Sequence, residues 1–288
     1  AVSEAEISSG PANFRAASLR AGQDLFLASR TGLIKMWGIG GPTVDGGNPV
    51  SIGARDISVQ GASVDFYGVS VRSSRDLRIT STEGDINIAA LENTVLNSGY
   101  TNRYMQSAEL NAGRDMRIVS ASNISTQGLT ANAGGDLRMQ AAAGLQLTGS
   151  ANRITSYDGI WTSNQRLVNR GNLTAGGALL LSAGTDLLAD AMLARAGGAL
   201  TFNALGNLRL DASQDWRQST GTTVTADSTW YGAKTTTTTY SIRESLTTAP
   251  TELNGASVSV SAGNELSTYG TRINSGGRIN LQAGGAAY

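Results

Sequence analysis

The chain of 288 residues is long enough for one large domain or two smaller ones, carries 22 basic and 22 acidic residues, and contains neither His nor Cys. A formal net charge of zero provides no overall basic field for nucleic acid or an anionic membrane, so we expect no nucleic-acid partner. The missing His and Cys exclude imidazole acid–base catalysis, thiol nucleophiles, Cys/His zinc sites and disulfides. The composition therefore favours a structural or binding protein over an enzyme.

Gly accounts for 36 residues, nearly twice the average share of about 7%, whereas charged residues are scarce. Such a composition is typical of short strands joined by many tight turns. No apolar run approaches the roughly 18 residues that span a bilayer, and Ala1-Val2-Ser3-Glu4 lacks the features of a signal peptide. Because an initiator Met is also missing, we expect the chain to be a fragment of a longer one.

A short repeat organises the chain: a small residue, Gly, any residue, Asp, and then an apolar–any–apolar triplet. Clear copies begin at Ala21, Ala112, Ala133 and Ala183. The period is about 20 to 21 residues, as from Asp56 to Asp76 and from Asp115 to Asp136, with shorter half-steps inside it. Repeats of this length are typical of a solenoid.

The apolar–any–apolar triplets, such as Leu77-Arg78-Ile79, alternate with period two and predict strands with one buried face. Strands this short become stable when equivalent strands stack on them one period away, which gives parallel sheets around a shared core. The Gly-x-Asp before each strand predicts a corner, where Gly admits positive φ and Asp caps nearby amides as an Asx turn. The repeats thus predict an all-β parallel β-helix.

Three segments break the period, and we expect loops on the outside of the rod, where added length costs little entropy. They are residues 34–49, residues 97–107 and residues 151–172. The third segment holds Tyr157, Trp161 and three Arg residues. Two interpretations stay open for it: the aromatic rings pack back on the rod, which we favour, or the loop binds a sugar or an anionic polymer through Arg153, Tyr157, Trp161 and Arg166.

The largest interruption, residues 214–254, is rich in Thr and Tyr, and Gly232 offers a turn near its middle. We predict an extra-helical antiparallel β-hairpin, with Trp230 and Tyr231 close to its tip. Packing and partner contact are equally open for these two residues. We expect β-helix repeats with loop insertions in residues 1–213, the hairpin in 214–254, and resumed repeats in 255–288, all in one continuous rod.

The Ala-Gly-x-Asp-Leu-x-Leu theme resembles the repeats of the filamentous haemagglutinin family, large exoproteins that Gram-negative bacteria export by two-partner secretion. The stretch from Ser257 to Ile279, which follows a Trp-containing, Thr-rich excursion, is similar to the family's second repeat class. The resemblance covers most of the chain and is densest in residues 108–212 and 255–285. It implies that the parallel β-helix is right-handed.

The resemblance also implies that the protein is secreted or lies on the bacterial cell surface, with an outer-membrane two-partner secretion transporter as a partner of the full-length protein. The implied role is attachment to a host or neighbouring cell through a glycan or the outer membrane. The alternative is a delivery segment in contact-dependent growth inhibition. The family's Asn-Pro-Asn secretion motif and the Val-Glu-Asn-Asn motif that precedes inhibition toxins are absent, so we expect neither the secretion signal nor the toxin here.

The recurring Asp residues have to be weighed against catalysis, because some β-helical enzymes cleave polysaccharides with paired carboxylates. Catalytic residues occur once per site, whereas these recur in successive periods, so we interpret them as structural corner residues: Asp24, Asp56, Asp76, Asp115, Asp136 and Asp186. Where Arg precedes such an Asp, we expect solvated surface, with a charge ladder along the rod as the alternative. The calcium-binding nonapeptide of β-rolls is absent. We expect no catalytic, cofactor or metal site and no cofactor; a polysaccharide-degrading enzyme remains the alternative.

Overall fold

The structure is a computed structural model that describes residues 11–44, 46–97, 99–228, 231–232 and 234–288. The regular elements in these ranges are β-strands, and no helix there is long and apolar enough to cross a membrane. Three parallel sheets, A, B and C, have nine strands each, and the chain adds one strand to each sheet in turn. A fourth sheet of six antiparallel strands lies beside them and is called the outer sheet below.

The strands are numbered in chain order. Sheet A contains β1 (Ala12–Arg15), β4 (Leu33–Trp37), β7 (Ser63–Tyr67), β10 (Ile86–Ala89), β15 (Ile124–Gln127), β18 (Leu145–Thr148), β23 (Leu187–Asp190), β26 (Leu208–Asp211) and β31 (Leu266–Thr268). Sheet B contains β2 (Ser18–Arg20), β5 (Val50–Ala54), β8 (Val69–Ser73), β13 (Ala108–Ala112), β16 (Leu129–Ala133), β21 (Gly171–Ala175), β24 (Met192–Ala196), β29 (Thr251–Gly255) and β32 (Thr271–Ser275). Sheet C contains β3 (Asp24–Ala28), β6 (Asp56–Gly61), β9 (Leu77–Ser81), β14 (Met116–Ser120), β17 (Leu137–Ala141), β22 (Leu179–Ala183), β25 (Ala199–Ala204), β30 (Ser257–Ala262) and β33 (Ile279–Ala283). The outer sheet contains β11 (Leu91–Asn97), β12 (Tyr100–Gln106), β19 (Ser150–Tyr157), β20 (Trp161–Asn169), β27 (Ser213–Ser228) and β28 (Lys234–Ala249).

Each full coil passes through sheet B, then sheet C, then sheet A before the next coil begins. Equivalent residues in neighbouring coils pair in parallel, for example Leu110 with Ala131, and Met116 with Leu137. Nine strands about 4.8 Å apart give a rod of about 40 Å. The predicted all-β fold, a parallel β-helix with about 20–21 residues per coil, is confirmed.

The core is a set of apolar columns that run through the rod. Inward positions alternate with exposed ones along each strand, as in β14 and β17. In sheet C, Ile118, Met139, Leu181 and Phe202 lie one above the other and are completely buried. Full burial of such a side chain stabilises the fold by about 1.5–3 kcal/mol.

The corner between sheets A and B alternates between two forms along the rod. After β1, β7, β15, β23 and β31 the chain turns within two residues through a left-handed position, at Ala16, Gly68, Gly128, Ala191 and Gly270. After β4, β10, β18 and β26 the chain instead leaves the rod and returns to sheet B later. Excursions therefore leave the same corner at every second coil of the described chain.

Three of these excursions are antiparallel β-hairpins, formed by β11 with β12, β19 with β20, and β27 with β28. The extra-helical hairpin predicted in the Thr-rich segment is confirmed by the third pair. Residues 97–107 and 151–172 lie outside the rod as expected, but the expected loop conformation is wrong, because both segments contribute strands to antiparallel hairpins. The interruption expected from Ile34 is also displaced, since Ile34 and Met36 are buried in β4 and the excursion begins at Gly38.

The hairpins are spaced so that they merge into one sheet. A hairpin is two strands wide, and successive hairpins leave the rod two coils apart. The width of a hairpin and the distance between successive hairpins along the rod are both about 9.5 Å. They agree because strands in the outer sheet and coils in the rod share the same spacing of about 4.8 Å. As a result β12 pairs with β19, and β20 pairs with β27.

Candidate interaction surface

Polar side chains join the hairpins where the regular pairing between them ends. Asn152 Oδ1 accepts a hydrogen bond from the Met105 amide at 2.8 Å, and Asn102 Oδ1 accepts one from the Thr155 amide at 2.6 Å. Between the next two hairpins, Asp215 Oδ1 accepts from the Val168 amide at 2.6 Å. These side chains accept hydrogen bonds from backbone amides that have no partner in the strand pairing. Sequence analysis missed them, because an Asn or Asp inside a polar segment has no distinctive pattern.

The first edge of the outer sheet is covered by the excursion that begins at Gly38. The Thr94 amide of β11 donates to the Gly41 carbonyl at 3.1 Å, and the Gly41 amide donates to Asn93 Oδ1 at 2.9 Å. Asn93 is fully buried and also donates to the Val44 carbonyl. This edge is thereby closed, whereas β28 forms the opposite end of the sheet.

One face of the outer sheet carries three arginines side by side. Arg103 of β12 lies directly opposite Arg153 of β19, which lies opposite Arg166 of β20. Directly opposite residues of antiparallel strands share a face, so these three form what we call the arginine row, on the arginine face. Trp216 and Leu246 continue the same row on β27 and β28.

Trp161 and Tyr157 lie at the outer end of the second hairpin. The Arg243 guanidinium lies over the Trp161 ring, 4.8 Å from its centroid. Gly221 is opposite Trp161 on β27, and a Cβ at that position would clash with the indole. Trp161 therefore packs on a neighbouring strand of its own sheet, while Tyr157 is 52% exposed and donates from its hydroxyl to the Gly159 carbonyl.

The turn between β19 and β20 is held by Asp158, whose Oδ1 accepts from the amides of Trp161 at 2.7 Å and Ile160 at 3.1 Å. These two hydrogen bonds lower the pKa of Asp158. A cavity of about 320 Å³ beside the turn is lined by Tyr157, Asp158, Trp161 and Arg243, among others. The structure thus brings two of the four candidate contact residues together.

Of the other two candidates, Tyr231 lies in the turn between β27 and β28. Trp230 lies outside the described residues. Tyr231 is 71% exposed and precedes Gly232, whose φ is +82°. The paired strands β27 and β28 continue beyond Gly221, where the pairing with β20 ends, and so extend past the neighbouring hairpin.

The corner aspartates cap the coil that follows them. Asp115 Oδ1 accepts from the Asp136 amide at 2.9 Å, and Asp136 Oδ1 accepts from the Ala178 amide at 2.7 Å. A second corner repeats the contact, with Asp186 Oδ1 and the Asn207 amide 2.7 Å apart. The Asx turn expected at these corners is therefore wrong in one respect: the capped amide belongs to the equivalent residue one coil further along.

The arginines beside these aspartates form a charge ladder along sheet C. Arg55 pairs with Asp24 at 2.9 Å, Arg75 pairs with Asp56 at 3.1 Å, and Arg114 pairs with Asp76. Each Arg thus contacts an Asp of the preceding coil. The hydrogen bond from Arg114 lowers the pKa of Asp76, which is the opposite of the raised pKa that a catalytic acid needs.

A surface groove of about 500 Å³ lies over this ladder and is lined by Asp24, Asp56, Arg75 and Asp76, among others. The carboxylates in it are engaged by arginines or by the amides of the next coil. No group of three or more acidic side chains that could hold a metal ion occurs in the part of the chain that the structure describes. The ladder therefore fits a structural role.

The coiled parallel sheets and the excursions at a single corner define a β-helical repeat rod. Residues 155–287, a little under half of the chain, match the family model described as Hemagglutinin repeat. No curated protein and no solved structure matches the chain. This match confirms the resemblance to filamentous haemagglutinin repeats over the matched segment, and the preceding coils continue the same three sheets.

Proposed function

We propose that the chain is a structural and adhesive segment of a large secreted Gram-negative surface exoprotein, and that it mediates attachment between cells or to a surface without catalysing a reaction. The rod acts as a stiff spacer, and the outer sheet makes the contacts. The observation that carries this proposal is the spacing of the hairpins, which turns separate excursions into one continuous surface beside the rod.

The side chains of the outer sheet support a contact role. Tyr240 and Leu246 of β28 are both 64% exposed, and Tyr157 is half exposed. Exposed apolar and aromatic groups on one surface are a common mark of a protein-protein or ligand contact. Of the candidate contacts, Tyr157 and Trp161 belong to strands of this sheet, and Tyr231 belongs to the turn between β27 and β28.

Attachment can be tested with beads coated with the full chain and with whole bacterial or host cells. We expect the variant Tyr157→Ser/Tyr231→Ser/Tyr240→Thr to lose about tenfold in bead attachment, because exposed aromatic side chains dominate many interfaces. The matched control, Leu205→Ser/Tyr269→Ser/Tyr288→Ser, removes exposed apolar groups outside the outer sheet and should attach like the unmodified chain. Equal attachment by both variants, or no attachment by the unmodified chain, would leave only the spacer role.

The second candidate function is a delivery segment in contact-dependent growth inhibition that engages the target outer membrane. The observation that favours it is the hairpin of β27 and β28, whose strands have 16 residues each and extend past the neighbouring hairpin. The test replaces residues 212–250 by one Gly in the full-length exoprotein, which copies the tight corner at Ala191. Loss of target-cell killing with normal surface display would support delivery, and unchanged killing would exclude it.

The exoprotein context also implies a partner for export. We propose that the full-length protein crosses the outer membrane through a two-partner secretion transporter and remains secreted or bound at the cell surface. Deletion of the gene for this transporter should keep the protein out of the medium and off the cell surface, as measured by blotting of fractions. Unchanged export would contradict this route.

A further inference from the structure

The arginine row places three like charges on adjacent strands. Side chains directly opposite each other have Cβ atoms about 4.5–5.5 Å apart, and like charges in such positions destabilise a sheet. Arg103, Arg153 and Arg166 occupy these positions on β12, β19 and β20. The sheet therefore carries a concentration of positive charge that its own folding does not require.

Acidic partners within the chain offset little of this charge. Glu92 lies 3.6 Å from Arg103, and both side chains are about half exposed. Arg166 donates to the backbone carbonyl of Gln214, which is neutral. The Arg153 guanidinium has no ion pair or hydrogen bond with any residue that the structure describes, so the row is open to an external anion.

The row crosses an elongated groove. At its inner end, a cavity of about 270 Å³ lies between the arginine face and the rod, and Gln127 and Gly149 form the rod side of it. A second cavity of about 380 Å³ continues outward on the same face. Arg153 and Arg166 line both cavities, so the two form one groove with the arginines in the middle.

The remaining groups of the groove indicate the class of ligand. Thr101, Thr155 and Asn164 provide neutral donors and acceptors suited to hydroxyl groups, and Trp216 provides one aromatic surface. A nucleic acid strand would need a series of aromatic rings for its bases and a basic surface along its backbone, and the zero net charge provides no such field. Hydroxyl partners, a single aromatic ring and clustered guanidinium groups fit an acidic saccharide.

We propose that this groove binds an acidic saccharide chain, whose carboxylate or phosphate groups pair with Arg153 and Arg166 while its hydroxyl groups meet the polar side chains of the groove. The inference rests on the proposed attachment role and names its ligand. Because an anion relieves repulsion within the row, its binding should be sensitive to ionic strength.

The test measures binding of the purified full chain to three immobilised probes: polygalacturonate, a phosphorylated mannan and neutral dextran. We expect binding to one or both acidic probes, which tells carboxylate from phosphate, and none to dextran. Arg153→Gln/Arg166→Gln should weaken that binding about tenfold or more. The control Arg138→Gln/Arg217→Gln makes the same change in net charge on sheet C and on the opposite face of β27, and should bind within about twofold of the unmodified chain.

A second measurement separates a binding role from a structural one. In the absence of saccharide, Arg153→Gln should unfold at a urea concentration equal to or higher than the unmodified chain, because it removes like-charge repulsion. A lower midpoint would indicate that Arg153 stabilises the fold instead. Equal loss of binding in the control pair, or no binding to either acidic probe, would overturn the inference.

Saccharide binding and cell attachment are measured separately, so either one can fail without the other. If Arg153→Gln/Arg166→Gln still attaches to cells as the unmodified chain does, attachment stands and the arginine groove is not its site. If the unmodified chain binds an acidic probe but attaches to no cell, the saccharide site stands and the attachment role fails.

Discussion

A carboxylate at a coil corner stabilises the amide of the next coil rather than its own turn. Asp136 and Ala178 occupy equivalent corners in consecutive coils, and only the first can accept a hydrogen bond. Sequence reasoning identified these aspartates as structural from their repetition. It could not identify their partner, because the amide lies 42 residues away, across the second hairpin.

Asp136 and Ala178 occupy equivalent corners, so opposite substitutions can be compared there: a carboxylate is removed from one corner and added to the other. Asp136→Ala should lower the free energy of unfolding by about 1 kcal/mol, because it removes a hydrogen bond to a charged acceptor. Ala178→Asp should raise it by about 0.5–1 kcal/mol, because the new carboxylate lies below the corner of the next coil. Urea unfolding followed by circular dichroism measures both. A loss of stability in both variants would contradict the prediction for Ala178→Asp and would show that this corner does not tolerate an added carboxylate.

Two other aspartates, Asp76 and Asp85, make the stability of the fold depend on pH. Arg114 lowers the pKa of Asp76, and hydrogen bonds from Ser122 and Asn123 lower the pKa of Asp85. Because both carboxylates ionise more readily in the folded chain, their contribution is complete above the unfolded pKa of about 3.9 and is lost as the pH falls through the lower folded values. We expect a constant Tm from pH 8 to pH 5, where no His titrates, and a decline below about pH 4.

Thermal unfolding between pH 8 and pH 2.5 measures this decline, and Asp76→Asn/Asp85→Asn should reduce its steepness. A Tm that rises on acidification would contradict the assignment.

At the scale of elements, local pattern predicted the rod strands and missed two of the hairpins. Rod strands such as β14 bury every second side chain, so the alternation is visible in a few residues. Apart from the buried Ser150, the residues of β19 and β20 are partly or fully exposed, without such alternation. Their pairing depends on the hairpin before and the hairpin after, which are separated from them by whole coils. The Thr-rich hairpin was predictable because its composition alone favours strands.

The tight corners provide a test at this scale. Gly128 has a φ of +63°, and a Cβ there would lie 2.7 Å from Ser150 Oγ and 3.0 Å from Ala90 Cβ. Gly128→Ala should therefore lower the free energy of unfolding by about 2 kcal/mol, from backbone strain and crowding together. Gly99, with a φ of +82° and open space around it, is the matched control, and Gly99→Ala should show the strain alone. Equal effects at both sites would mean that crowding adds nothing.

At the scale of the whole molecule, the rod is a stack in which each coil contacts its neighbours. The sequence predicted this architecture, because repeated apolar triplets fix the sheets and the period fixes the coil. It did not predict that excursions share one corner and alternate with tight turns. That arrangement appears only when every coil is aligned, since the excursions differ in length and sequence.

A stack of this kind makes the cost of a core deletion depend on position. Leu181 and Leu281 occupy the same column of sheet C, but Leu181 is completely buried between two coils and Leu281 is half exposed. Leu181→Ala should lower the free energy of unfolding by about 2–5 kcal/mol, and Leu281→Ala by less than about 1 kcal/mol. Urea unfolding compares the two variants. Similar losses would indicate that the last coil is as tightly packed as the middle of the rod.

The match between hairpin width and coil rise has a consequence for how such a protein can lengthen. Inserting a single winding would shift all later hairpins by about 4.8 Å, half the width of a hairpin, and would open a gap in the lateral sheet. Inserting two windings with one hairpin preserves its continuity. A duplication that keeps the outer sheet continuous must therefore copy two coils at a time. The repeating unit of this architecture is two coils together with the hairpin that they carry.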